Sequence, residues 1–135
     1  MNIELTDMEF RRLLDMAYIG NWILNSTRGF DRIKEYDDVE SKLFSHCTSC
    51  EMPTLVEYSS GNAQPSSAFE DGGIHEAIAD YEDSVFFEIL AEELARRDME
   101  FEPIGPDNMT ELADRIDEYI AEFEQNGVDN ISLDK

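Results

Sequence analysis

The stretch Val85-Phe86-Phe87-Glu88-Ile89-Leu90 places five large apolar side chains in six positions, inside a longer segment, Ile74 to Asp98, that keeps a helical period. Ile78, Tyr81, Val85 and Ile89 recur at three- and four-residue spacing as one stripe, and Phe86, Phe87, Leu90 and Leu94 widen it until nearly every side is apolar. A helix apolar all round belongs in an interior, so this one is expected at the centre of a helical bundle or of a two-fold dimer. Pro103, Gly105 and Pro106 break the chain after it.

Such a helix needs others to cover it, and the pattern supplies three. Thr6-Asp7-Met8-Glu9 fits a capping box, in which the Thr hydroxyl and the Glu carboxylate satisfy each other's orphan backbone N–H groups. The first helix that follows carries Leu13, Leu14, Ala17, Tyr18 and Trp22 as one stripe to about Ser26. Gly20 inside it costs about 1 kcal/mol relative to Ala, which a closely approaching neighbour helix would explain. Asp31 is placed to cap a second helix bearing Ile33, Tyr36, Val39 or Glu40, Leu43 and Phe44, ending near His46. Asp107 or Thr110 caps a fourth, with Leu112, Ile116, Tyr119, Ile120 and Phe123 facing inward and Asn126-Gly127 closing it. Val128, Ile131 and Leu133 follow as an extended tail that packs on the rest.

Between the second and third helices the period dissolves. Pro53, Gly61, Pro65, the serine pairs at 59–60 and 66–67 and the Gly72-Gly73 pair mark residues 51–73 as a long loop, with weak alternation over Thr54 to Tyr58 suggesting a short strand. The expected fold is all-α: a small helical bundle of about four helices with one long loop between helices 2 and 3 and a minor short strand pair, forming a single acidic helical domain over residues 1–135. A chain of this length buries roughly two thirds of its unfolded surface, so it needs no disulfide or metal to hold a core.

Charge narrows the partners. The chain has 32 Asp and Glu against 10 Lys and Arg, a formal net charge of −22. Phosphates and anionic lipid are bound by Lys and Arg, so direct nucleic-acid binding and membrane attachment are both disfavoured. A basic protein surface is the complementary partner, and bulk solvation in high salt is the plain alternative. No segment has a basic start followed by an apolar run, and none approaches the ~18 apolar residues of a membrane helix, so a cytoplasmic location is expected. Cys47 and Cys50 are then thiols.

Motifs are few. His46-Cys47-Thr48-Ser49-Cys50 offers a C-x-x-C pair after a helix, and Cys47, Cys50, His75 and His46 are the residues from which a zinc site could be drawn, with a carboxylate completing it. A redox role fits worse, since a helix C-terminus opposes thiolate formation. His75-Glu76-Ala77-Ile78-Ala79 lacks the second histidine of a zinc-protease helix, and no Glu-x-x-His pair, phosphate loop or calcium loop is present. Glu88, surrounded by Phe86, Phe87, Ile89 and Leu90, would have a raised pKa if buried, with Glu92 one turn on adding a like charge; the alternative is an exposed edge or a pairing with Arg96 or Arg115. Trp22 and Tyr18 are candidates for an exposed binding anchor or for the core. Arg11-Arg12 and Arg96-Arg97 read as ion pairs on an acidic surface.

The expected function is that of a non-catalytic protein-interaction or regulatory module contacting a basic partner, with Trp22, Tyr18, Glu88 and Glu92 as interaction candidates. The alternatives are a small zinc protein or enzyme using the Cys47, Cys50 and His75 region, and an inhibitor that mimics nucleic acid. A homodimer follows if the girth of Val85 to Leu90 exceeds what three helices cover.

Overall fold

The computed structural model describes residues 1–134. Among the described residues the fold is all-α, with four helices, a long connection between the second and third, and one two-stranded antiparallel hairpin. Two compact units divide it, Met1–Ile78 and the chain from Ala79 onward.

In the first unit, α1 (Asp7–Asn25) opens on the capping box. Glu9 N–H donates to the Thr6 hydroxyl at 3.1 Å, and Thr6 N–H donates to the Glu9 carboxylate at 2.9 Å. Its buried face runs Phe10, Leu14, Tyr18, Asn21 and Asn25, a four-four-three-four spacing that turns polar at its C-terminal end. Arg28 Nε donates to the Leu24 carbonyl at 2.8 Å just past that end, where the helix dipole favours a cation. Nothing lies within 4 Å of where a Cβ on Gly20 would stand, so no helix approaches there.

α2 (Lys34–Phe44) starts three residues after Asp31, not at it. The Asp31 carboxylate accepts the Gly29 N–H at 3.0 Å and pairs with Arg28, closing the preceding turn. The helix start is fixed by Asn25. Its Oδ1 accepts the Ile33 N–H at 2.8 Å and its Nδ2 donates to the Ile33 carbonyl at 3.1 Å, so one buried side-chain amide reaches both backbone groups at the N-cap, where the carbonyl also accepts the Tyr36 N–H at 3.2 Å. Phe44 is fully buried and Ile33, Asp37, Glu40 and Leu43 are half-buried, so the expected stripe holds with Glu40, not Val39, on the covered side, and departs at Tyr36, which is exposed.

The segment expected as a loop at residues 51–73 is organised. A 3-10 turn (Pro53–Leu55) leads into β1 (Val56–Ser59) and β2 (Asn62–Pro65), paired with Val56 opposite Pro65 and Ser59 opposite Asn62. Ser60 and Gly61 both take positive φ, the conformation that lets a two-residue turn match the twist of its strands. Ser66 then caps a single helical turn by accepting the Phe69 N–H at 3.2 Å, and Gly73 at φ +108° bends the chain into the next helix. Phe69 is thereby driven into the core, where its ring meets Phe44 edge-on at 5.0 Å and Tyr18 at 5.3 Å. Leu14, Cys47, Ala63, Ile74 and Ile78 complete that core.

In the second unit, α3 (His75–Asp98, its first turn belonging to the first unit) packs on α4 (Met109–Asn126). α4 starts after Asn108, rather than at Asp107 or Thr110, because Asn108 Oδ1 accepts the Gly105 N–H at 2.9 Å and closes the turn. Gly127, at φ +57°, ends it. The core joins Ala95, Met99 and Leu112 with half-buried Ile104, Ile116 and Tyr119, and Phe87 meets Phe123 at 5.4 Å. Tyr119 donates a hydrogen bond to Asp98, which Arg97 also pairs at 2.9 Å.

α3 is not wrapped on all sides. Phe87, Leu90, Ala91, Leu94 and Ala95 turn inward, but Phe86 is 52% exposed, Ile89 56% and Tyr81 62%. The reason is geometric, since α4 is one helix and covers one side of its neighbour. Val128, Ile131 and Leu133 are exposed as well, so the tail does not supply the missing cover.

Candidate functional site

The sulfur and imidazole groups do not converge. Cys47 is fully buried in the turn after α2, where burial and then the neighbouring Cys50 push its thiol pKa up, and Cys50 is half-buried. Such a thiol is held protonated and inert at neutral pH. His46 is exposed, on the wall of a broad open groove of about 1100 Å³ that also runs over Ile3, Leu5, Met8, Leu13 and Met16. His75 opens α3 with its Nε2 hydrogen-bonded to the Tyr18 hydroxyl at 2.7 Å. Among the described residues, no three His, Cys, Asp or Glu side chains are grouped to hold a metal ion.

What His75 joins is an aromatic cluster. Its ring stands edge-on to Trp22 at 5.0 Å and to Tyr18 at 5.5 Å, and Tyr18 and Trp22 stack at 6.2 Å. Tyr18 is buried and belongs to the core, while Trp22 is half-buried at its edge. Burial, with the negative charges of Glu70 and Glu40 behind it, pushes the Tyr18 hydroxyl up to about 12, so it is neutral throughout the physiological range.

Beside this cluster lies a cleft of about 300 Å³ lined by Tyr18, Asn21, Trp22, Ser26, Arg32 and Glu40. Asn21 Nδ2 donates to Asp37 at 2.9 Å and to Glu40 at 3.2 Å, and its Oδ1 accepts from Asn25 at 2.7 Å. Arg32 lays its guanidinium on Asp37 with two hydrogen bonds, at 2.7 and 3.0 Å, which holds the Asp37 carboxyl below its usual range. Glu40 has no such cation. Burial raises its pKa above the ordinary 4.5, against the opposing help of the Asn21 amide. The cleft therefore sets a poorly solvated carboxylate beside two aromatic rings.

The second candidate surface is the outer face of α3. Glu82 and Glu93 stand one or two helical turns from Phe86 and Ile89 on the same side, so apolar and carboxylate groups alternate there. Glu92 is tied to Arg96 at 2.7 Å. Glu88 is exposed, at the rim of a shallow cleft with Phe87 and Phe123, and not in an apolar interior. Arg115, the other cation considered for it, pairs with Glu111 at 3.0 Å.

No helix of the described chain is long and apolar enough to cross a membrane. Compared with protein-family models, with curated proteins and with solved structures, the chain matches none.

Proposed function

We propose that the protein is a non-catalytic interaction module whose acidic helical surface docks on a basic protein partner. The observation that carries this reading is the outer face of α3, where Tyr81, Phe86 and Ile89 are exposed on a helix that also presents Glu82, Glu88 and Glu93. A face of that kind is matched by an amphipathic segment with apolar anchors and flanking Lys or Arg. A second copy of the same chain would set like charges against one another, which disfavours it as the occupant.

The test uses two designed peptides of equal charge, an amphipathic helix with Leu and Lys at helical spacing and an unstructured control with Lys and Gly only. The full chain is expected to bind the amphipathic peptide at ~0.1 M salt and to release it at ~1 M, where the Debye length shrinks to about 3 Å. A double substitution, Phe86→Ser with Ile89→Ser, should weaken that complex while leaving the fold intact by circular dichroism. Equal binding of both peptides, or unchanged binding by the double variant, overturns the reading.

A further inference from the structure

We propose that the cleft between α1 and α2 binds a primary ammonium group, with Glu40 as its counter-charge and Trp22 and Tyr18 as its aromatic walls. Three observations lead there. The first is the lining itself: a cleft of about 300 Å³ is large enough for a butylamine-sized chain, and its wall holds a carboxylate together with the Trp22 and Tyr18 side chains, the pair of features by which proteins hold organic cations.

The second is the distribution of charge around it. Asp37 is neutralised by the Arg32 guanidinium, which spends two hydrogen bonds on it. Glu40 receives only the neutral Asn21 amide, at 3.2 Å on Oε2. Among the described residues, no Lys, Arg or His is ion-paired to Glu40. With Arg32 set against Asp37, the carboxylate of Glu40 leaves the cleft with an uncompensated negative charge. A cation entering the cleft supplies the missing partner, and a half-buried carboxylate gains more from one than an exposed carboxylate does.

The third favours one of the two biological cations. A guanidinium is a planar fork that is best met by both oxygens of a carboxylate. Glu40 shares its Oε2 with the Asn21 amide, and its Oε1 accepts no hydrogen bond from the described residues, so Oε1 is its open acceptor. An ammonium, a compact charge with three donors, fits one carboxylate oxygen and aromatic walls. The ammonium can belong to a free amine or to a lysine side chain of a protein, and the cleft lies in the first unit while the outer face of α3 lies in the second, so either proposal can fail without the other.

Trp22 is the single tryptophan of the chain, which makes its fluorescence a direct reporter of the cleft. The full chain is titrated with n-butylammonium chloride, with n-butanol and sodium chloride as the uncharged and ionic controls, and with Nα-acetyl-lysine methylamide as the peptide-borne source. A saturable change in Trp22 emission with butylammonium, absent with butanol and with matched salt, is the expected result. A matching response to the lysine derivative assigns the site to side chains as well, and its absence confines it to free amines.

Glu40→Gln keeps the acceptor for Asn21 and removes the charge; it should weaken the midpoint about tenfold or more, the scale of one charge-assisted hydrogen bond. n-Butylguanidinium should bind more weakly than the ammonium. Intermolecular nuclear Overhauser contacts from the butyl chain to the Trp22 and Tyr18 rings locate the ligand independently of any variant. Equal response to sodium chloride, equal affinity in Glu40→Gln, tighter binding of the guanidinium, or absence of contacts to both rings overturns the proposal.

Discussion

Phe44 and Phe86 are the same side chain in two different situations. Phe44, on α2, is fully buried between α1, Phe69 and the hairpin segment, whereas Phe86, on α3, is 52% exposed and touches Phe87 edge-on. The contrast extends to their units. In the first, a short hairpin and a single helical turn bring Phe69 and Ala63 onto the face that two helices leave open, and a pair of asparagines fixes how those helices start and stop. In the second, two helices meet along one side, with small residues, Ala91 and Ala95, at the fully buried positions of α3. An apolar helix with one neighbour keeps an apolar face. Covering elements, and not apolar content, decide where a core closes.

The sharpest way to break that contrast is to delete the same atoms twice. Phe44→Ala should cost about 3–5 kcal/mol, the range for emptying a buried phenylalanine site, read as a lowered urea midpoint of the Trp22 emission. A loss below about 1 kcal/mol would mean that the first unit's core is not closed around Phe44.

Next in size comes the polar pin. Asn25→Leu leaves the Ile33 N–H without its partner, while the Ile33 carbonyl keeps only the Tyr36 N–H. A cost of about 1–3 kcal/mol is expected, that of stranding a buried backbone group. Hydrogen exchange should locate it, with the Ile33 amide losing protection while amides in α4 keep theirs.

The polar pin also shows where the sequence is readable and where it is not. Phe10, Leu14 and Tyr18 announce the inner face of α1 by period, and the same period continued lands on Asn21 and Asn25. That continuation is visible in the chain, a polar pair at helical spacing in line with an apolar stripe, but its meaning depends on the partner, which is the backbone of Ile33. The capping box at Thr6 was legible because both members lie within four residues. The start of α2 was not, because Asn25 sets it from eight residues away. The hairpin at Val56 to Pro65 was half legible: Gly61 marks a turn, but positive φ at Ser60 has no signature in composition. Of the site, Tyr18 and Trp22 were identifiable as large aromatic groups. Glu40 was not, since one acid among 32 Asp and Glu carries no mark until a fold desolvates it.

Glu40 gives a smaller effect whose sign depends on pH. Its pKa is raised from 4.5 in the folded chain, chiefly by burial, so between the unfolded and folded values the native state binds more protons than the unfolded one. Stability is then lost as pH rises through the folded pKa, and the ionised group is a constant penalty above it. The facing groups are Asp37 and Arg32 from the α1–α2 region, Glu70 from the turn before α3, and Tyr18 and Asn21 from α1. Glu40→Gln should therefore raise the melting temperature at pH 7 and give no gain near pH 4. An equal gain at both values would assign the effect to something other than ionisation.

The smallest effect is the most telling for the contrast. Phe86→Ala removes as many atoms as Phe44→Ala, yet the ring it deletes already meets water over half its surface. Exposed substitutions away from caps and ion pairs usually fall within about 0.5 kcal/mol of neutral, and Ala is a better helix former than Phe, so part of the lost contact with Phe87 is returned as propensity. Thermal unfolding followed at the helical circular dichroism band should thus shift by at most a few degrees in either direction. A cost approaching that of Phe44→Ala, at dilutions where the wild-type chain sediments as a monomer, would mean that the α3 face is covered within the chain itself. A cost that appears only at high protein concentration would mean that a second copy covers it, and that the like charges of Glu82 and Glu93 are overcome by burial of Phe86 and Ile89.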